Sequence, residues 1–270
     1  MAAVSILISS AGRWSLLDDC LRSISQQNLG KHTLVVSVSI PASMKKSFHL
    51  KMDQNYSELN LNWLPFLSTG PHEGRNWGIL KAPGDILHLI DEDVIYPDPF
   101  YIQRLIAYHR NLKNINLLGG YYLSNDKCTL AGKAYNSITQ LWLHKGRQIP
   151  SPLHQDLLVA GNISMKLNTL TRSLPFSSTH SFGGEERDFL SRHWNVGSQS
   201  RLIEGLDVIH QSQHSLKIYF QRAWLHGKTM DKKTSLTSKN LKQFYRHSGK
   251  GRQRLLVGSY LACTRISQRL

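Results

Sequence analysis

The 270-residue chain predicts an α/β architecture, a doubly wound and mostly parallel sheet followed by a basic helical tail. Three observations carry this expectation. Short β-branched runs alternate with helically periodic segments through the first 112 residues, the pattern of βαβ units with right-handed crossovers. One run, GDILHLIDEDVIYP from Gly84 to Pro97, ends in a carboxylate cluster, and open α/β sheets take ligands beyond the carboxyl ends of their strands. Charge is concentrated late: of a net +15, the residues from Leu216 onward carry +12, with 13 Lys or Arg against Asp231 alone. The chain therefore divides into a body over 1–215 and a basic, helical extension over 216–270.

Taken in order, Val4 to Ser9 reads as a first strand, and Ser10-Ala11-Gly12-Arg13 as a turn that lets backbone approach a ligand. A helix follows, with Leu16, Leu17, Cys20, Leu21 and Ile24 at helical spacing. Ser15 is its expected N-cap, with Asp18 and Asp19 in the first turn. Thr33 to Ile40 is a second strand, closed by Pro41, and Leu59 to Phe66 a third. A glycine-bearing loop then precedes a short helix over Arg75 to Lys81, which Ala82-Pro83-Gly84 ends. Ile86 to Ile90 forms a largely buried strand. Asp98 and Pro99 are the expected N-cap and N1 of a helix reaching about Leu112.

Side chains two apart on extended backbone point the same way, so Asp91 and Asp93 should project together while Glu92 turns from them. Two carboxylates at a strand end suit a hard divalent cation such as Mg²⁺ or Mn²⁺, and equally a polar turn closing the strand.

Composition narrows the alternatives. With 40% hydrophobic residues the chain can bury a sizeable core. Cys20, Cys128 and Cys263 are too scattered for a disulfide framework or a CxxC metal site, so a reducing compartment is expected. The start MAAVSILISS lacks the basic n-region of a signal peptide, and no apolar run is long enough to span a bilayer. The expected setting is cytoplasmic, with the tail peripheral at the inner face of a membrane. A pI near 9.9 leaves anionic lipid, anionic glycan or nucleic acid as partners of that tail.

The strand from Val4, the stretch GRNWGILKAPGDILHLIDED and the later FGGEERDF together resemble a family 2 glycosyltransferase of the GT-A, nucleotide-diphospho-sugar transferase-like fold. Arg75, Asn76, Gly78, Ala82, Gly84, Asp91 and Asp93 fill the places of that family's ARNxGxxxAxGxxxxxLDxD stretch. The resemblance implies a nucleotide-sugar donor held through Mn²⁺ or Mg²⁺ at the DxD acids. It puts the donor against Ser9, Ser37, Arg75, Asp91 and Asp93, and the metal on Asp93, Asp91 and His210, the histidine ending LDVIH, with His214 competing for that role. Arg75 could face the donor or make a structural ion pair. LLVAGNISMK resembles the strand-loop-strand lining the acceptor side, with Gly161 and Asn162 at the loop. FGGEERDFL resembles the GGEDxDL helix start, which makes Glu186 the first candidate for catalytic base, Glu185 the second and Asp188 an acceptor contact.

This chain departs from the family at the second strand. The usual acidic segment that contacts the nucleobase is replaced by VVSVSIPAS, whose Ser37 and Ser39 supply no carboxylate. UDP is the default donor nucleotide, with GDP or dTDP as alternatives. The implied reaction is inverting transfer to a hydroxyl of a glycan, lipid-linked or other acceptor, as in polysaccharide synthesis. A degenerate, non-catalytic GT-A module and a basic nucleic-acid-binding protein are the competing readings; the paired acidic motifs favour the enzyme and make nucleic acid the weaker partner. In the tail, Ile218, Tyr219, Ala223, Trp224 and Leu225 offer an apolar side among basic residues, as membrane-surface helices do.

Overall fold

A computed structural model describes residues 3–43, 46–66, 71–147, 155–177, 185–229 and 252–269. Seven strands form the central sheet, in the order β3-β2-β1-β4-β8-β6-β9. β1 (Ala3–Ser9), β2 (Thr33–Pro41), β3 (Asn62–Phe66) and β4 (Ile86–Asp91) run parallel. A small second sheet joins β5 (Val94–Ile95), β7 (Tyr122–Leu123) and β10 (Val208–His210), with β10 between the other two. The remaining central strands are β6 (Leu117–Gly119), β8 (Asn162–Lys166) and β9 (Ser200–Leu202). β8 is antiparallel to both β4 and β6, so the sheet is parallel on one side and mixed on the other.

The period-2 alternation of β1 and β4 explains why both faces are covered. Val4, Ile6, Ile8, Ile86 and Ile90 join one apolar cluster with Leu17, Cys20, Leu21 and Ile24 of α1 (Trp14–Ser25) and Leu105 and Ile106 of α4 (Tyr101–Asn111). Met52 of α2 (Lys46–Asn55) joins the same face. Leu7, Leu87 and Leu89 point the other way, onto Ile79 of α3 (Pro71–Lys81) and Phe189 and Leu190 of α7 (Glu185–Asn195). The order in which strands are added reverses at β1, which lies between β2 and β4, and this opens a crevice at the carboxyl ends of the three parallel strands.

Five expected boundaries differ. The helix expected over Arg75 to Lys81 starts one turn earlier, at Pro71, and takes in the end of the expected loop. Ser15 lies inside α1; Arg13 holds the N-cap position without a side-chain cap, and no acid occupies the first turn. Asp18 instead pairs with Arg22 one turn on. Ser57–Leu59 is a 3-10 turn, so the third strand starts only at Asn62. Asp98 holds the backbone N–H of Phe100 and the guanidinium of Arg104, bracing a turn ahead of a helix that starts at Tyr101. Of the expected pair of strands in LLVAGNISMK only the second forms, as β8.

The tail is helical where described, as α8 (Leu216–Thr229) and α9 (Arg252–Arg269). Both pack on α5 (Leu130–Arg147), a helix that strict pattern reading missed. Tyr219, Ala223, Val257, Tyr260 and Leu261 close a third apolar cluster with Ala131, Ala134 and Ile138 of α5. The tail helices therefore share a core with the body. The remaining helix, α6 (Thr169–Ser173), is one capping-box turn on Asn168.

Candidate active site

A cleft of about 750 Å³ opens at the carboxyl ends of β1, β2 and β4, where the sequence placed its acids. Pairing of β1 with β4 stops at Ser9 opposite Asp91, and the next two residues turn the chain into β5. The three acids then separate. Asp91 accepts from Arg75 Nη2 at 2.9 Å. Glu92, fully buried, turns from its neighbours as expected and reaches back to the turn after β1. It accepts from Ser10 Oγ at 2.5 Å, from the backbone N–H groups of Ala11 and Arg13 at 3.1 Å, and from Arg13 Nε at 2.6 Å. This is where the missing cap of α1 is found: a carboxylate far along the chain satisfies the donors ahead of the helix.

Asp93 accepts from Arg13 Nη2 at 2.8 Å and lies 3.3 Å from His210 Nε2. Burial alone would raise its carboxyl; His210 and Arg13 outweigh that and hold it well below the usual range. His210 is fixed from behind. Asn136 Nδ2 donates to the His210 carbonyl at 2.9 Å, so Asn136 Oδ1 is the atom 2.6 Å from His210 Nδ1, and Nδ1 carries a proton. The ring also stacks on Tyr122 at 4.2 Å. Nε2 is thereby aimed at the Asp93 carboxylate.

The residues fit a hard divalent ion. Asp93 Oδ1 is buried without a hydrogen-bond partner, and its 3.3 Å separation from Nε2 is close to the ~3.0 Å between adjacent ligands of an octahedral ion with ~2.1 Å bonds. Among the described residues no three His, Cys, Asp or Glu side chains converge on one point, and Asp91 is paired with Arg75. Two protein ligands suffice when a phosphate-bearing substrate supplies others.

Across the cleft stand Glu185 and Glu186 at the start of α7, whose N-terminus favours acids. Gly183 and Gly184 before them lie outside the described residues, as do the glycine-bearing loop before α3 and residues 230–251 of the tail. Burial, with the neighbouring Glu185 charge, raises Glu186 to about 7. Arg75 is buried between Asp91 and Glu185, 3.4 Å from the latter, with its guanidinium 5.6 Å from the Phe176 ring centre. It is thus the structural ion pair that the sequence left open, made in the cleft wall.

Three expected contacts lie elsewhere. Asn162 is fully buried, accepts from Tyr101 and faces His88 Nε2, both at 3.0 Å, and donates to the Leu206 carbonyl; its amide braces the core. Asp188 pairs with Arg192 one turn along α7, outside the cleft lining. Ser37 sits deeper in β2 than the lining; the register Ser9 with Ser39 puts Ser39 at the rim instead. Ser9 and Gly161 do line the cleft, and a side chain at Gly161 would collide with Asp91 and Tyr122.

The last wall comes from residues the sequence did not single out, except His214 and Leu225. Tyr135 and Thr139 of α5, His214, and Arg222, Leu225 and His226 of α8 complete the lining. Arg222 Nη1 donates to the Tyr135 hydroxyl at 3.0 Å with its guanidinium over the ring, 5.1 Å from the centre. Burial lowers His214 to about 3 and His226 to about 4, leaving both neutral near pH 7. The basic-aromatic pattern of the tail was the only sequence signal for this wall.

No family model matches the sequence, and no curated protein matches it. Solved structures do resemble the fold. Mannosyltransferase PcManGT from Pyrobaculum calidifontis, in complex with GDP-Man and Mn²⁺, superposes with a TM-score of 0.63 at 12% identity, over 99% of this chain and 74% of that one. S. aureus TarS 1-349 in complex with UDP-GlcNAc gives 0.55 at 13%, over 97% and 72%. Glucosyl-3-phosphoglycerate synthase from Mycobacterium tuberculosis, in complex with Mn²⁺, UDP and phosphoglyceric acid, gives 0.56 at 15%, over 84% and 76%. The structural neighbours are glycosyltransferases of the GT-A fold, and that is the fold of this chain.

Proposed function

We propose that the protein is an inverting glycosyltransferase that moves a sugar from a nucleotide-diphosphate donor, UDP by default, to an acceptor hydroxyl. The observation that most supports this reading is that Asp93, His210 and Glu186 line one cleft at the carboxyl ends of β1, β2 and β4. Asp93 and His210 would hold Mn²⁺ or Mg²⁺; when bound, such an ion offsets negative charge on the departing diphosphate. Glu186, poised near neutrality, accepts the acceptor's proton as its oxygen attacks the anomeric carbon. The bond from that carbon to the diphosphate oxygen breaks, and its electrons leave with the nucleoside diphosphate. Arg75 pairs with both Asp91 and Glu185, which leaves Glu186 as the carboxylate free to take the proton. The neighbours' complexes with GDP-Man, UDP and UDP-GlcNAc favour a nucleotide-sugar donor of the same kind. Incubation with a panel of nucleotide sugars, Mn²⁺ and candidate acceptors tests this by nucleoside diphosphate release and by the anomeric configuration of the product. Retention, or no turnover of any donor, would defeat it.

A second reading concerns location. Leu216, Phe220 and Trp224 recur every fourth residue on the exposed side of α8, and Leu255 and Ile266 are exposed on α9 beside Arg252 and Arg265. No described helix is long and apolar enough to cross a membrane. We propose that this face rests on an anionic lipid surface, each Lys or Arg there contributing about 1 kcal/mol. Flotation with anionic vesicles, lost at high salt and absent with neutral vesicles, is the expected result; equal flotation with both would contradict it.

A further inference from the structure

Three guanidinium groups line the cleft, and their partners differ. Arg13 is shared between Glu92 and Asp93, and Arg75 between Asp91 and Glu185. Arg222 has no carboxylate partner among the described residues. Its one hydrogen bond there is from Nη1 to the Tyr135 hydroxyl, and its flat face lies over the same ring. A guanidinium carries five N–H donors, so this contact fixes its position and leaves most of the fork uncommitted. Tyr135 is itself held, edge-on to His214 at 4.7 Å and to Tyr260 at 6.3 Å. His214 and His226 flank the arginine as neutral groups, so neither competes with it for an anion.

We infer that Arg222 is the oxyanion receptor of the cleft, and that the acceptor which receives the sugar carries a phosphate or carboxylate group. This rests on the transferase reading for the word acceptor, while the receptor itself rests on Arg222 alone. Of the carboxylates, Glu185 and Glu186 act on Tyr135, Glu185 on His226 and Asp91 on Arg222, which associates this wall with the proposed base. A neutral polyol would desolvate the unpaired guanidinium without satisfying it, whereas an oxyanion takes two parallel N–H bonds from the fork. The charge of Arg222 also offsets the repulsion of such an anion by the carboxylates of the cleft. The specificity of the reaction would thus come from the tail.

The test uses the full chain saturated with UDP and Mg²⁺, so that the diphosphate position is filled, and titrates inorganic phosphate by phosphorus NMR. Wild type should bind phosphate, R222Q should bind it about tenfold or more weakly, and R222K should recover part of the loss, because a point charge replaces the fork. UDP affinity should stay within about threefold in both variants. Circular dichroism establishes that the variants fold, and the exposed position of Arg222 makes that the expected result. Equal phosphate affinity in wild type and R222Q, or no phosphate binding by wild type, would overturn the inference. So would a parallel loss of UDP affinity, which would assign Arg222 to the donor. Wild type that ignores UDP but binds phosphate through Arg222 would sink the transferase reading and leave the receptor standing.

Discussion

The two walls of the cleft are built on opposite electrostatic plans. On the wall formed by β1, β4, α3 and the start of α7, each of four carboxylates is paired with an arginine: Glu92 and Asp93 share Arg13, and Asp91 and Glu185 share Arg75. On the wall formed by α5 and α8, Arg222 leans on an aromatic ring with no carboxylate beside it. Matched charges stay in place without a ligand and give a preorganised surface; an unmatched one keeps its attraction for whatever enters. Glu186 stands between these plans. Its charge has no matched partner, and burial leaves it protonated up to about pH 7.

That contrast orders the expected effects. Replacing Glu186 by Gln should lower transfer by roughly 10² to 10⁴ and leave donor affinity near wild type, measured by single-turnover rates beside calorimetry. Glu185→Gln should cost less in rate. Full transfer by Glu186→Gln would remove it as base. The same residue makes a pH prediction: the folded state binds its proton above the ordinary carboxyl range, so wild type loses stability as pH rises from about 4.5 to about 7, and Glu186→Gln should lack that slope. Transfer should rise over the same interval to a plateau above pH 7. Melting temperatures of both proteins across pH check the sign; parallel curves would mean that Glu186 titrates normally.

Asp93→Asn should come next, with metal-dependent donor affinity falling about 100-fold, because the amide keeps shape but loses the charge that attracts a cation. The smallest effect belongs to the matched wall itself. Glu92→Gln turns a carboxylate surrounded by four donors into an amide with one acceptor oxygen, and should cost about 1.5–3 kcal/mol of stability by denaturant unfolding. An unchanged unfolding midpoint would show that Glu92 does not hold the turn before α1.

The matched wall was also the legible one, because its signals are local. An apolar run between Pro83-Gly84 and a carboxylate cluster identifies β4 and the end at which ligands gather, and two-residue alternation separates Glu92 from its neighbours. Ser15 misled because the donors ahead of α1 are satisfied by Glu92 across the sheet, so no local cap is needed. Ser37 and Ser39 point the same way along β2, and only the register with β1 decides which one reaches the rim. Asn162 follows the expected loop glycine, yet its amide is drawn inward by Tyr101 and His88, residues whose approach no spacing reveals. The α5 and α8 wall depends on packing Tyr135 against a helix that follows it by more than 80 residues. In sequence that contact showed only as basic and aromatic residues mingled in the tail.

The measurement closest to the central claim is calorimetric titration of the full chain with UDP- and GDP-sugars, in Mn²⁺ and in EDTA, for wild type and Asp93→Asn. At least one nucleotide sugar should bind wild type in Mn²⁺, with affinity lost in EDTA and reduced about 100-fold by Asp93→Asn. Binding that is equal with and without the metal, or unchanged by the substitution, would contradict a metal-dependent donor site at the carboxyl ends of β1 and β4.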